Sequence, residues 1–413
     1  MKIKILVALL MFLVLGQRGQ AQSKWDKSLA KVEVLYNSGA YGGASKALAK
    51  FKKKVDGKMG AQNMYTPTIF FLQAKYDLAS GLPMEFETNL QNALNANRVL
   101  NTENSEKYAT MLVDAAGLYN QNGSYRVTKE YLVKAKKILD PLNLMKDPLK
   151  ARVELIMAEA LTGQGYYNES INLLRSRENY FAGRAVKQET APDGKGGLKS
   201  TKLPEAEVNR RFEDYARLIT LLATAYGKQG AQQSSDSAFG FAASWIKRNM
   251  SNHTISYIRN QLNFANMLVE YGVTDLQKDT EYDRTLQVLK SFFKPSHYLG
   301  IQLYEEYLKE LMRTENTGRY YNTKLEYEKV IDKEFPSKSI YQVRLKAVEF
   351  DSRLSGDKTK NLESAATQVI NNTSSRKNVV MGKTGCIVDH LGGGGFKIFG
   401  FVPAQAGIKF YSF

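Results

Sequence analysis

Cysteine occurs once in 413 residues, as Cys386, and histidine three times, as His253, His297 and His390. Ligands so few and so scattered cannot be grouped by spacing into a metal site, and no disulfide is possible within the chain. Proline is scarce at nine, and no strand-like alternation of apolar and polar residues interrupts the sequence before its last forty residues. With 43% hydrophobic residues, this balance predicts a largely helical chain with a continuous core. Acidic residues are in the minority, 41 against 58 lysines and arginines, for a formal charge of +17. They alternate with lysine, as at Glu305–Glu306 and Glu326–Glu328, so no pair stands out as a general acid and base.

What the chain does contain is a glycine clock. Gly39, Gly81, Gly123 and Gly165 fall 42 residues apart, and Gly230 and Gly272 repeat that spacing after one insertion. Each lies between two amphipathic runs. Gly turns the chain at no steric cost, so a fixed Gly period predicts stacked helical hairpins. Two segments can be laid on each other: Gly123–Pro141 reads GSYRVTKEYLVKAKKILDP and Gly318–Pro336 reads GRYYNTKLEYEKVIDKEFP, sharing Gly, Tyr, Thr, two Lys and the final Pro at equal offsets.

In the third unit Ala116, Gly123, Tyr125, Thr128, Ala135 and Pro141 form one pattern; Ala158, Gly165, Tyr167 and Ser170 repeat it in the fourth, and Gly39, Tyr41 and Ala44 in the first. This pattern resembles the tetratricopeptide repeat, in the longer 42-residue form found in kinesin light chains, over residues 24 to 372. The resemblance implies an all-α, right-handed superhelical solenoid of about eight hairpins in which small residues let paired helices approach closely. Such an array buries each hairpin on its neighbours and is not divisible into independent domains.

Lys2 and Lys4 precede the apolar run Ile5–Leu15, and Gly19-Gln20-Ala21 supplies small residues where a signal peptidase reads. Residues 1–21 are therefore expected to be an export signal, with the mature chain starting at Gln22 in a bacterial periplasm or at the cell surface. Eleven apolar residues are too few for a typical spanning helix, and no second candidate follows. A strongly basic exported protein points to an acidic protein or peptide, an anionic envelope polymer or membrane headgroups, and export weighs against nucleic acid.

The array is expected over residues 22–372, with hairpins turning at each Gly. Residues 185–206, rich in Gly, Lys, Thr and Pro, read as a surface loop inserted in the fourth interval. The eighth unit, 340–354 with 362–370, is the faintest. Residues 373–413 abandon the pattern for a Gly-rich, irregular or β-rich tail. Met381-Gly382-Lys383-Thr384 imitates the end of a phosphate loop, but Lys377 stands where the required Gly belongs. Cys386, Asp389 and His390 offer a nucleophile and a base without a rigid frame.

The resemblance places ligands against the first helix of each hairpin. Thirteen residues before the turn Gly stand Arg152, Arg217 and Arg259; two or three before it, Asn37, Asn120 and Asn316; six before it, Lys75 and Asn266. Arg could hold a carboxylate and Asn an extended backbone. The chain thus reads as a non-catalytic, cofactor-free binding scaffold, with a sensor region of a larger signalling or peptidase protein as the alternative.

Overall fold

In a computed structural model the described residues are 24–141, 147–192, 198–273, 275–346 and three short strands, 380–381, 387–391 and 395–399. The expected export signal lies outside them, as do Cys386 and most of the eighth unit. The helices are α1 (24–37), α2 (Tyr41–Met59), α3 (Thr66–Ala79), α4 (Pro83–Asn101), α5 (Glu106–Gln121), α6 (Tyr125–Leu139), α7 (Asp147–Gly163) and α8 (Tyr167–Arg184). After a β-hairpin come α9 (Glu205–Lys228), α10 (Gln232–Asn249), α11 (Ile255–Glu270), α12 (Asp275–Phe292), α13 (Tyr298–Arg313), α14 (Thr317–Glu334) and α15 (340–346). The described residues therefore hold seven helical hairpins and the start of an eighth, and the fold is an all-α repeat solenoid.

The turn glycines do what their period implies. Gly39, Gly81, Gly123, Gly165, Gly230 and Gly272 all have φ between +65° and +89°, the left-handed region. At Gly123 the amide donates to Asn120 O and the next amide, Ser124 N, to Tyr119 O, and the same two bonds close five of these six turns. This is the paired-bond helix stop that a left-handed residue permits. Beside the turns, the small residues cross: Thr128 Oγ1 donates to Ala116 O (3.3 Å), Ser170 Oγ to Ala158 O (2.9 Å) and Ser235 Oγ to Ala223 O (2.9 Å). Each donor is fully buried, so hydroxyl and carbonyl satisfy each other where the two helices touch.

The seventh hairpin corrects the sequence alignment. Gly318 lies inside the first turn of α14, and the left-handed turn residue is Glu315, φ +56°, with Asn316 N donating to Leu311 O as Ser124 N does to Tyr119 O. The structural equivalent of Gly123 is thus three residues earlier than the shared Gly, Tyr and Thr letters indicate. The buried positions agree: Tyr320, Thr323, Tyr327 and Ile331 of α14 match Thr128, Tyr131, Ala135 and Leu139 of α6.

Packing divides the chain into two units, described separately. Unit 1 comprises the described residues up to Ala79 and Met84 to Tyr307; unit 2 comprises Ser80–Pro83 and the residues from Leu308 onward. In unit 1 each hairpin packs on the next and successive first helices touch, α5 on α7, α7 on α9 and α9 on α11. Its core runs from Phe86, Leu112, Tyr119, Leu132 and Ile156 into Leu155, Leu174, Phe181, Tyr215 and Leu222. Tyr119 meets Phe86 edge-on (5.6 Å) and Tyr131 at 5.1 Å. In unit 2, Leu308, Leu311, Tyr327 and Ile331 are completely buried, and Ser339 Oγ donates to Ser80 O (2.7 Å).

The insertion expected as a loop is an antiparallel hairpin, β1 (Gln188–Pro192) against β2 (Leu198–Lys202), Thr190 facing Ser200. Its described side chains are exposed, so the alternation that betrays a half-buried strand never arose. Glu189 anchors it to Arg211 of α9 (2.6 Å). The tail carries β3 (Val380–Met381), β4 (Ile387–Leu391) and β5 (Gly395–Phe399) in one antiparallel sheet, with His390 opposite Phe396.

Candidate functional site: the inner wall of unit 1

The first helices of the hairpins present a row of charged side chains to one another. Arg152 on α7 pairs with Asp114 on α5 (2.6 Å). Arg217 on α9 grips Glu159 on α7 through both Nε and Nη2, and Asn120 Nδ2 on α5 donates to the same carboxylate (2.6 Å). Arg259 on α11 donates to the Tyr298 hydroxyl on α13 (2.7 Å). Side chains two hairpins apart also feel each other: Lys75 on α3 with Arg152 on α7, Glu159 on α7 with Arg259 on α11, Arg217 on α9 with Tyr298 on α13. These side chains share one face of the first helices, the inner wall of unit 1.

Burial and charge set the ionisation of the wall. Burial pushes the Glu159 carboxyl up, but Arg217, Arg259 and the Asn120 amide outweigh it and hold the carboxyl below its ordinary range. Burial likewise lowers Arg217, and Glu159 more than reverses the effect. Glu213 and Asp214, adjacent on α9, behave oppositely. Burial raises both, with Arg259 opposing at Glu213 and Arg217, Arg152 and Arg210 opposing at Asp214. Glu213 is exposed to solvent and Asp214 half-buried, so the effect comes from crowding by neighbouring side chains and is weakest at Glu213. Lys75 is lowered by burial and by Arg152, against Glu33 and Asp114, and its ammonium stands 4.6 Å over the Tyr36 ring. Among the described residues no carboxylate lies within ion-pair distance of Lys75, and no cation within that distance of Glu213 or Asp214.

Of the eight sequence-derived positions the wall gathers five: Lys75, Asn120, Arg152, Arg217 and Arg259. Asn120 is buried, with 7% of its surface exposed, because it is spent on Glu159 and on Ile156 O (3.4 Å). Asn37 is exposed on the last turn of α1. Asn266 accepts from the Tyr282 hydroxyl (2.7 Å) and so ties α11 to α12. Asn316 lies in unit 2 and caps α14, accepting from Arg319 N; it entered the set through the displaced alignment at Gly318. The partners Asp114, Glu159, Glu213, Asp214 and Tyr298 were not anticipated. Glu159 was within reach, since it occupies the same place six before its turn Gly as Lys75 and Asn266. Among the described residues no group of three His, Cys, Asp or Glu could hold a metal, and no helix is long and apolar enough to cross a membrane.

No family model matches the sequence, and no curated protein matches it. Among solved structures the chain is similar to the Rap protein complexed with competence and sporulation factor, at 9% identity and a TM-score of 0.53, covering 86% of this chain and 87% of that one. It also matches a putative kinesin light chain of Podosopora anserina with nearly identical tetratricopeptide-like repeats, at 14% identity and TM-score 0.37, over 55% and 97% of the two chains. A third match, the tetratricopeptide domain of P58(IPK), has 16% identity and TM-score 0.23 over 86% and 85%. The likeness to the Rap protein, together with the glycine turns and the hairpin crossings, shows that this chain has the fold of a tetratricopeptide-like helical solenoid.

Proposed function

We propose that unit 1 is a binding scaffold that holds an extended peptide segment of a protein partner along the wall formed by α3, α5, α7, α9 and α11. The observation that carries this reading is the distribution of unspent charge. Arg152 and Arg217 are paired with Asp114 and Glu159, and Arg259 donates to the neutral Tyr298 hydroxyl beside Glu213, whereas among the described residues Lys75 on α3 and the carboxylates Glu213 and Asp214 on α9 have no ion-pair partner. A segment with an acidic group toward α3 and a basic group toward α9 would complete both ends, and a uniformly acidic ligand would be repelled by Glu213 and Asp214. That the Rap protein was crystallised with a bound factor makes a ligand-holding role for this fold a reasonable reading. The scaffold is non-catalytic in this reading, and the basic start followed by Ile5–Leu15 and Ala21 supports its export to a bacterial envelope.

The test is selection from a random peptide library against the purified full chain. Selected peptides should combine an acidic and a basic residue, and their binding should weaken at least about tenfold on Lys75→Glu and on Asp214→Lys, the size of one lost partly desolvated pair. Peptides that are uniformly acidic, or binding indifferent to both variants, would overturn the proposal.

A further inference from the structure

The first hairpin carries a charged surface that the inner wall does not use. Residues 24–59 hold nine lysines against three carboxylates, Asp26, Glu33 and Asp56. On α2 the division is by face. Tyr41, Ala44, Leu48, Phe51 and Val55 recur at helical spacing and are buried. Opposite them Lys46, Lys50, Lys53 and Lys54 are all exposed, and none of the four forms an ion pair among the described residues. Lys52, a step round the helix, is the lysine paired with Asp56. The four span about 12 Å along the helix at its 1.5 Å rise. At the two ends of the stripe, Gly42 and Gly57 leave the helix bare, with no atom within 4 Å of where a Cβ would stand.

The chemistry of this face selects its partner. Protein interfaces are depleted of lysine at their centre and bind through desolvated aromatic, Met or Arg anchors, and the stripe holds none of these. It has no guanidinium for bidentate phosphate or base-edge contacts and no aromatic for stacking, as nucleic acid recognition would use. A row of mobile point charges on one bare helix face matches a flat, diffuse layer of negative charge, which is what an anionic bilayer presents to juxtamembrane lysines. We infer that the Lys46–Lys50–Lys53–Lys54 face of α2 docks the protein on the anionic headgroups of a lipid bilayer. This is independent of what the inner wall binds.

Sedimentation of the full chain with vesicles tests it, comparing phosphatidylcholine alone with phosphatidylcholine containing phosphatidylglycerol. The quantity read is the ratio of anionic to neutral binding, and because every variant carries the same residues 1–23 their contribution cancels when variants are compared. The wild-type ratio should be large at low salt and fall steeply as salt is added. Lys50→Glu with Lys53→Glu should lower it at least about 20-fold, since each lysine near an anionic surface contributes roughly fivefold. Both sites are exposed, and unchanged circular dichroism confirms that the variant folds. The control, Lys136→Glu with Lys137→Glu on the exposed face of α6, makes the same charge change and should leave the ratio within about twofold of wild type. Equal losses in both variants would mean that net charge alone acts, and a ratio near one for wild type would mean that no headgroup recognition exists; either overturns the inference. So would complete displacement of the vesicles by polyglutamate at equal charge concentration, which would make the stripe a site for soluble polyanions.

Discussion

Gly39 and His297 touch across 258 positions of the sequence: a Cβ on Gly39 would stand 2.9 Å from the Cα, Cβ and N of His297. Around this contact Ser296 Oγ donates to Gly39 O (3.0 Å), Lys294 N to Ser38 O (3.0 Å) and Tyr298 N to the Tyr41 hydroxyl (2.9 Å). The first hairpin of unit 1 is thereby joined to the segment leading into α13. Tyr298 belongs to both places, since its hydroxyl accepts from Arg259 of the inner wall. Burial, and then Arg259, push the His297 imidazole down to about 3, so it is neutral in this seam at any ordinary pH.

The seam separates two costs of replacing glycine. Gly39→Ala meets both a left-handed backbone and the His297 main chain, whereas Gly123→Ala, at nearly the same φ, meets open space. Gly123→Ala should cost about 1 kcal/mol and Gly39→Ala about 2–4 kcal/mol in urea denaturation. Equal costs would show that the seam is not closed in solution.

Arg217 and Glu159 are predicted to be structural before they are ligand-binding. Glu159→Gln should destabilise unit 1 by about 1–3 kcal/mol, less than a fully buried pair because both side chains keep some exposure. Reversing Arg152, Arg217 and Arg259 to Glu together should therefore weaken the fold, contrary to what exposed positions would allow, and circular dichroism melting reads the difference. Because the folded carboxyl of Glu159 lies below its unfolded value, its contribution is present above the unfolded pKa, near 4.5, and disappears as pH falls through the folded one. In Glu159→Gln that acid-side loss should be smaller.

Asp214 carries the opposite sign. Burial raises its carboxyl, so the charged form is disfavoured in the fold and the native state gains stability as pH falls through the raised value toward the unfolded one. Asp214→Asn should stabilise the chain at neutral pH by about 0.5–1 kcal/mol, with the gain vanishing in acid where Asp214 is protonated anyway. A destabilised variant at neutral pH would show that Asp214 is held by contacts within the chain and is not kept for a ligand.

Ser170 tests the hairpin crossing. It is fully buried against Ala158, to whose carbonyl it donates. Ser170→Ala should cost about 1 kcal/mol for the lost bond, and Ser170→Leu more, about 1–3 kcal/mol, by forcing α7 and α8 apart. Thermal melts that rank the two the other way would remove the steric account.

The repeat could be read from the sequence because a hairpin's demands are local. A turn must be left-handed, so Gly39 to Gly272 mark it, and paired helices must be close, so Ala116 with Thr128 and Ala158 with Ser170 mark that. The same locality misled at Gly318, where shared letters slid three residues from a turn that Glu315 makes at some strain, and where the error carried Asn316 into the site. The strands at 188–202 were illegible because a hairpin exposed on its described faces leaves no hydrophobic period. The positions of Arg152, Arg217 and Arg259 on one wall followed from their common distance to the turn. How each of them is partnered did not, since that depends on Asp114, Glu159 and Tyr298 arriving from other hairpins. Sequence alone determined the repeating unit and its facing columns; only the tertiary structure decided how the charges pair across them, because each pair forms between first helices of consecutive hairpins that packing sets side by side.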